Sequence, residues 1–410
     1  MNTILGLPRQ HAPSERCSNC VLPLSVVPQA PGNDRVCKFC GSMPDRPSHP
    51  ADSEPKTAQL EAMLNRVREL GRGCSYDCLI GLSGGRDSSY LAWLLRRKHG
   101  LRCFGAYYRT PFTPDVIDAN VRRVSERLGI PLTEIQVSRQ EHLEVARAYF
   151  LKWRADPKPE YINLMCASCK LLNREVFRLA KANGLRAIIF GGNEREQVQF
   201  TPSHRESKGG AAAHTFLAQL SRSIHIARRG FRLVADVPPG RLGISVKAAV
   251  MYINPHTPLL RLRYPGIMSV EYFRYSNWRE DECIRTITEE LGWQLPEGVS
   301  ETWRADCDIA ALKNYMFFKT VGATYSDALY SNLIRDGQLT REQALDRIKR
   351  GHGLAEAQIE RAMKTLGLSM DLIDRDALAR ARSADGCCPP PGPGNPDGDR
   401  ASTPAAALAE

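Results

Sequence analysis

Apolar positions along this chain recur first with a helical period and then in alternating strand and helix rhythms. In residues 57–72, TAQLEAMLNRVRELGR, Leu60, Met63, Leu64, Val67 and Leu70 fall on one face of a 3.6-residue repeat, which predicts a helix. From residue 76, short apolar β-type runs take turns with longer amphipathic stretches. Strands are predicted near 77–83, 102–108, 132–137 and 186–190, and helices over 88–98, 115–128, 141–153 and 170–183. This alternation predicts an α/β fold, a doubly wound parallel sheet with helices on both faces.

The flanking regions follow other patterns. Residues 1–50 hold four cysteines, many prolines and little apolar periodicity, so they need a staple to fold. Beyond about residue 201 comes a Ser, His, Gly and Ala-rich loop, then a basic segment with a helix predicted at 213–229. Residues 269–382 read as mostly helical. Within them, Thr340 and Gln343 form a capping-box pattern after the Asp336-Gly337 turn. The tail from 383 to 410 is rich in Pro, Gly and Ala, has almost nothing to bury, and is expected to be disordered. The division expected is therefore 1–50, 51–265, 266–382 and the tail.

Composition narrows the class. A chain of 410 residues with 42% apolar and 25% charged residues has room for two or three folded units. It contains no run of ~18 apolar residues, and its first residues lack a basic start followed by an apolar core, so a cytoplasmic address without a membrane span is expected. Thirteen cysteines is an odd count, and several stand as C-x-x-C pairs, which points to metal ligation rather than a disulfide framework. The net charge of +11 calls for an anionic partner, and ten basic against two acidic residues in 202–263 put +8 of it in one segment. That segment is either a contact surface or a solvated face.

Candidate chemistry begins with IGLSGGRDSSYL. Ser83, Gly84, Gly85, Arg86, Asp87, Ser88 and Ser89 join a predicted strand to a predicted helix, where free backbone N–H groups and the positive helix end face one point. Two glycines let the backbone approach a phosphate, and Ser83, Ser88 and Ser89 offer hydroxyl donors. The spacing and lysine of a Walker A loop are absent. Cysteines supply the second signal. Cys17-x-x-Cys20, sixteen residues, then Cys37-x-x-Cys40 is the spacing of a closed four-thiolate Zn2+ site, with iron as an alternative metal. Such a site would fold residues 1–50 as a zinc ribbon.

A second set, Cys166 and Cys169, needs a third member, for which Cys307 is preferred over Cys283. Three thiolates would leave one iron of a 4Fe-4S cluster, or one position on a metal, open to substrate. The alternative is a set of reduced cysteines lining a helix end. Cys74, Cys78 and Cys103 read as small core or surface residues.

S-G-G-x-D-S after a strand resembles the PP-loop ATP pyrophosphatases, and the resemblance implies a Rossmann-like fold that grips the pyrophosphate of ATP. Taken with the N-terminal cysteine pairs, CASC before FGGNE, EYFRYSNWREDECIRTITEELGW and the block from SETWRADCD to GQLTREQAL, residues 17–350 resemble the N-acetyl sugar amidotransferases of surface-polysaccharide assembly. That likeness implies a zinc ribbon, a PP-loop domain and a helical C-terminal region. It also implies that ATP activates an acetamido oxygen and that ammonia from a glutaminase partner displaces AMP. Carried over, Ser83, Gly84, Gly85, Asp87 and Ser88 would form the pyrophosphate loop, and Gly191, Gly192 and Asn193 would face the nucleotide. Asp87 would orient Mg2+ or the loop, and Glu194 would contact substrate or metal. The substrate would be an anionic small molecule, a nucleotide-sugar before others. A sulfurtransferase of the same superfamily, acting on a small molecule or a tRNA base, is the alternative; a zinc-ribbon nucleic-acid binder that senses ATP is a third reading.

Overall fold

The computed structural model of the chain describes residues 15–43, 54–135, 138–196, 198, 258–351 and 354–382. The helix expected at 213–229, the basic segment up to residue 257 and the tail 383–410 lie outside the described residues.

Five strands form one parallel sheet: β3 (Cys78–Gly81), β4 (Cys103–Tyr107), β5 (Leu132–Glu134), β6 (Ala187–Phe190) and β7 (Met268–Glu271), in the order β5-β4-β3-β6-β7. They are preceded by a small hairpin of β1 (Gln29–Ala30) and β2 (Asn33–Cys37), a short α1 (Lys38–Gly41), and α2 (Glu54–Leu70). Around the sheet run α3 (Arg86–Trp93), which continues as a π-helical turn over Leu94–Lys98, then α4 (Asp115–Leu128), α5 (Arg139–Ala155), α6 (Pro159–Leu164) and α7 (Leu171–Ala182). The predicted stripe on α2 is buried at Met63, Leu64, Val67 and Leu70.

Strand residues alternate between two cores, as a pleat with helices on both faces requires. Leu79 and Ile188 pack with Phe104, Val176 and Phe177 towards α7. Cys78, Ile80 and Leu82 pack with Leu91, Val121 and Val124 towards α3 and α4. Each fully buried Leu, Ile or Val contributes about 1.5–3 kcal/mol, so the central strands anchor the unit. The strand expected at 132–137 is shorter, Leu132–Glu134. Strand β7 falls in the stretch read as the start of a helical region; its four residues are all only partly buried, as at a sheet edge, so they show neither alternation nor an apolar run.

The C-terminal part is helical, with α8 (Pro258–Arg263) before β7 and then α9 (Glu280–Leu291), α10 (Ile309–Val321), α11 (Tyr325–Arg335), α12 (Arg341–Arg350), α13 (Glu356–Thr365) and α14 (Arg375–Arg382). The Thr340–Gln343 capping box is present, and Thr324 with Asp327 makes a second one at the start of α11. Helices α5 and α6 pack onto this block through Phe150, Trp153, Tyr161, Leu312, Phe317 and Met363. Residues 15–43 dock on α11 and α12: Arg16 pairs with Asp327 at 2.6 Å, Val21 N donates to Ser331 at 3.2 Å, and Arg341 donates to the Cys17 and Cys20 carbonyls. Among the described residues no helix is long and apolar enough to cross a membrane.

Strand order reverses between β3 and β6. A crevice outside the carboxyl ends of these two strands follows, which is where open α/β sheets place ligands.

Candidate active site

The glycine loop occupies that crevice. Gly84 has φ +78°, and a Cβ there would sit 2.7 Å from both the Ile117 carbonyl and a Val121 methyl, so only glycine fits. Trp293 donates its indole N–H to the Gly84 carbonyl at 2.8 Å, which holds the turn from outside. Gly85 caps α3, so the first N–H groups of that helix open into the crevice. Ser83 N donates to Ser88 Oγ at 3.2 Å and the two hydroxyls lie 3.1 Å apart on the loop wall. Ser89 corrects the expectation of a third hydroxyl donor: it is fully buried and donates to the Gly85 carbonyl at 2.9 Å, so it shapes the turn.

Acidic groups surround the loop. Asp87 Oδ1 accepts from Arg86 Nε at 3.0 Å and from the Trp278 indole at 3.1 Å. Facing Asp87 is Glu196, which pairs with Arg304 at 3.4 Å and stands 3.8 Å from Arg86 Nη2. Burial, with the Asp87 carboxylate as a further cause, pushes the Glu196 carboxyl up from 4.5 to about 7 against the pull of Arg304. Glu194 opens the 3-10 turn Glu194–Glu196, and its side chain lies outside the described residues. Glu196 is thus a glutamate of NERE seen at the loop, one that the sequence alone did not single out. Gly191 and Gly192 line the opposite wall, and Gly192 N donates to Glu271 at 2.8 Å. Asn193, expected to face the nucleotide, is instead buried and does not line the loop cavity; its Oδ1 accepts from Arg195 N at 3.0 Å, and among the described residues its Nδ2 has no hydrogen-bond partner.

Two cavities meet here. The loop cavity, about 230 Å³, and a larger one of about 690 Å³ share Ser83, Glu196, Trp303, Arg304 and Asp306. The larger one is lined by Cys166, Cys169 and Cys307 together with Lys170 and Lys313. Cys169 Sγ lies 3.7 Å from His142 Nε2, whose Nδ1 meets the Tyr108 hydroxyl at 3.0 Å, and Cys307 lies 3.8 Å from Thr110 Oγ1. Hydrogen bonding with Cys169, reinforced by the cations of Lys313 and Arg304, pulls the Cys166 thiol down to about 5. Cys283, the weaker candidate, is buried beneath the loop with Sγ 3.8 Å from the Arg86 carbonyl and does not reach this cavity.

Residues 77–191 match the asparagine synthase family model. The match takes in the glycine loop and Gly191 and leaves out Gly192, Glu196 and the Thr302, Trp303, Arg304 and Asp306 side of the loop cavity. No curated protein matches the chain. Among solved structures, NMN synthetase from Francisella tularensis is similar at 13% identity and TM-score 0.32, over 77% of this chain and 97% of that one. The NH3-dependent NAD synthetase of Campylobacter jejuni, in complex with the nitrate ion, gives 12% identity and TM-score 0.25, covering 48% of this chain and 94% of that one. A U34-tRNA thiolase from Methanococcus maripaludis, with its 4Fe-4S cluster, gives 15% identity and TM-score 0.34, covering 87% and 91%.

The donor sets fit different groups. Cys17, Cys20, Cys37 and Cys40 bring four sulfurs within 4.8 Å of one another, the arrangement a tetrahedral ion needs. Arg335 adds N–H donors at 3.5 Å from Cys20 Sγ and 3.9 Å from Cys40 Sγ, which balances thiolate charge. Among the described residues this is the one set of three or more ligand-type side chains so closely drawn together. Cys166, Cys169 and Cys307 line the same cavity without closing to that spacing. Asp87 and Glu196 suit Mg2+, which takes one or two carboxylates and completes its shell with phosphates and water.

Proposed function

We propose that the protein is an ATP-dependent, AMP- and pyrophosphate-forming transferase that adenylates a carbonyl or amide oxygen and then replaces it. The observation that carries this is the junction of the glycine-loop cavity with a larger cavity through five shared residues. An acceptor in the larger cavity would present its oxygen to the α-phosphorus of ATP held at the loop.

In the first step the acceptor oxygen bonds to the α-phosphorus, and the bond to the bridging oxygen of pyrophosphate breaks. Loop N–H groups, Ser83 and Ser88 hold the leaving pyrophosphate, with Gly191 and Gly192 also lining that cavity. Asp87 and Glu196 would hold Mg2+, which supplies charge neutralisation along the phosphates. Arg304 spans the junction and faces the developing charge on both sides. A nucleophile then adds to the activated carbon, and AMP departs with the former acceptor oxygen.

Nitrogen is the incoming atom on the resemblance of residues 17–350 to the N-acetyl sugar amidotransferases, with ammonia from a glutaminase partner and an anionic nucleotide-sugar as acceptor. Lys170, Lys313 and Arg304 on the cavity wall suit such an acceptor. One observation favours a second reading, sulfur transfer to a small molecule or a tRNA base: three thiols line the acceptor cavity. Those thiols would hold a 4Fe-4S cluster with one iron open. The Cys17 set would carry Zn2+ in a structural role. Mass spectrometry separates the readings, since replacing oxygen by NH lowers product mass by about 1 Da and replacing it by sulfur raises it by about 16 Da.

A further inference from the structure

In the sequence, Asp336-Gly337 is only a turn ahead of a capping box. In the structure the Asp336 carboxylate is linked to both acids of the crevice. Arg195 donates to it through two N–H groups, Nε to Oδ2 at 2.7 Å and Nη2 to Oδ1 at 3.1 Å, and both side chains are largely buried. Arg195 immediately precedes Glu196 in the 3-10 turn Glu194–Glu196, and its carbonyl accepts from Asn332 Nδ2 at 2.6 Å. On the other side, Gln338 Nε2 donates to Asp336 Oδ2 at 2.6 Å and to the Trp278 carbonyl at 2.8 Å. The Trp278 indole donates in turn to Asp87. One carboxylate therefore reaches Glu196 through its chain neighbour and Asp87 through two side chains. Asp336 is itself anchored, since the adjacent Arg335 donates to Asn332 Oδ1 at 2.5 Å and meets Cys20 and Cys40 Sγ at 3.5 and 3.9 Å. A forked arginine–carboxylate pair out of solvent fixes direction as well as distance, which a pair of exposed charges does not.

We propose that Asp336 is a positioning residue: through Arg195 and Gln338 it sets where Glu196 and Asp87 stand relative to each other, and so the affinity of the crevice for a divalent cation. It lines neither of the two joined cavities, so it acts only through these partners. The role rests on the reading above that Asp87 and Glu196 hold Mg2+. Loss of a supporting group of this kind typically costs about 10- to 100-fold in metal affinity.

The test is Mn2+ binding, read from the electron paramagnetic resonance signal of the free ion, to the full zinc-loaded chain as wild type, Asp336→Asn, Glu196→Gln and the double variant. Zinc content and the urea midpoint report on folding in the same samples. Asp336→Asn keeps the shape of the side chain and removes the charge that faces Arg195. It is expected to weaken Mn2+ binding by about 10- to 100-fold with zinc content unchanged. Added to Glu196→Gln, it is expected to cost much less than it does alone, because it acts in part through that residue. If Asp336→Asn does not fold, Arg195→Lys, which keeps the charge and loses the fork, gives the reading by the same measurement. Unchanged Mn2+ affinity in a folded variant, or an equal further loss in the Glu196→Gln background, would overturn the positioning role and leave the magnesium reading standing. Wild type that binds Mn2+ no better than Glu196→Gln would overturn the magnesium reading, and the positioning role with it.

Discussion

Glu196→Gln separates stability from function at the cavity junction. The Glu196 carboxyl sits at about 7 in the folded chain against an ordinary 4.5. A raised acid means the native state holds the proton more tightly than the unfolded one, so the contribution is destabilising and grows as pH rises from 4.5 through about 7. The shift corresponds to about 3 kcal/mol, fully present above the folded value. Glutamine mimics the protonated form at every pH. Glu196→Gln is therefore expected to be more stable than wild type by up to about 3 kcal/mol at pH 8 in magnesium-free buffer, with the gap closing towards pH 4.5. AMP formation in the same variant should fall on the order of a hundredfold. The assay is urea denaturation across the pH range beside an AMP release assay. A variant less stable than wild type at pH 8, or a gap that does not change with pH, would refute the electrostatic reasoning.

Gly84→Ala places a Cβ against the Ile117 carbonyl and Val121 at positive φ; the combined strain predicts a loss of about 2–4 kcal/mol by denaturant midpoint, whereas Gly81→Ala, with open space around it, serves as a control with a small effect. Chelation of the Cys17, Cys20, Cys37 and Cys40 site is expected to release one metal ion per chain, read with a colorimetric zinc indicator, and to expose the α11 and α12 surface to protease; no released metal would rule the site out. Anaerobically prepared protein should show iron and visible absorbance under the sulfur reading, both lost in Cys169→Ser and Cys307→Ser; a colourless, iron-free protein would exclude the cluster.

The central sheet was legible because buried parallel strands are apolar runs, and CLIG and AIIF stand out against polar loops. The glycine turn was legible because its chemistry is local: Gly84, Gly85 and the helix start are neighbours in sequence. Strand β7 was not, since a partly buried edge strand has no distinctive period. Glu196 was not legible, since burial and the facing Asp87, not residue type, make it distinctive. Arg86 was readable as a member of the loop, but its partners Glu280 and Thr302, some two hundred residues away, were not. The contact of Arg335 with Cys20 and Cys40 was out of reach for the same reason, while Cys307, preferred by residue type as the third member beside Cys166 and Cys169, lines the same cavity as they do.

The measurement closest to the central claim is the nucleotide product. Incubated with ATP, magnesium, an N-acetylated nucleotide-sugar and either ammonia or sulfide, the protein is predicted to form AMP and pyrophosphate in step with an acceptor whose mass has fallen by about 1 Da or risen by about 16 Da. Formation of ADP and phosphate, with the acceptor unchanged, would contradict the account.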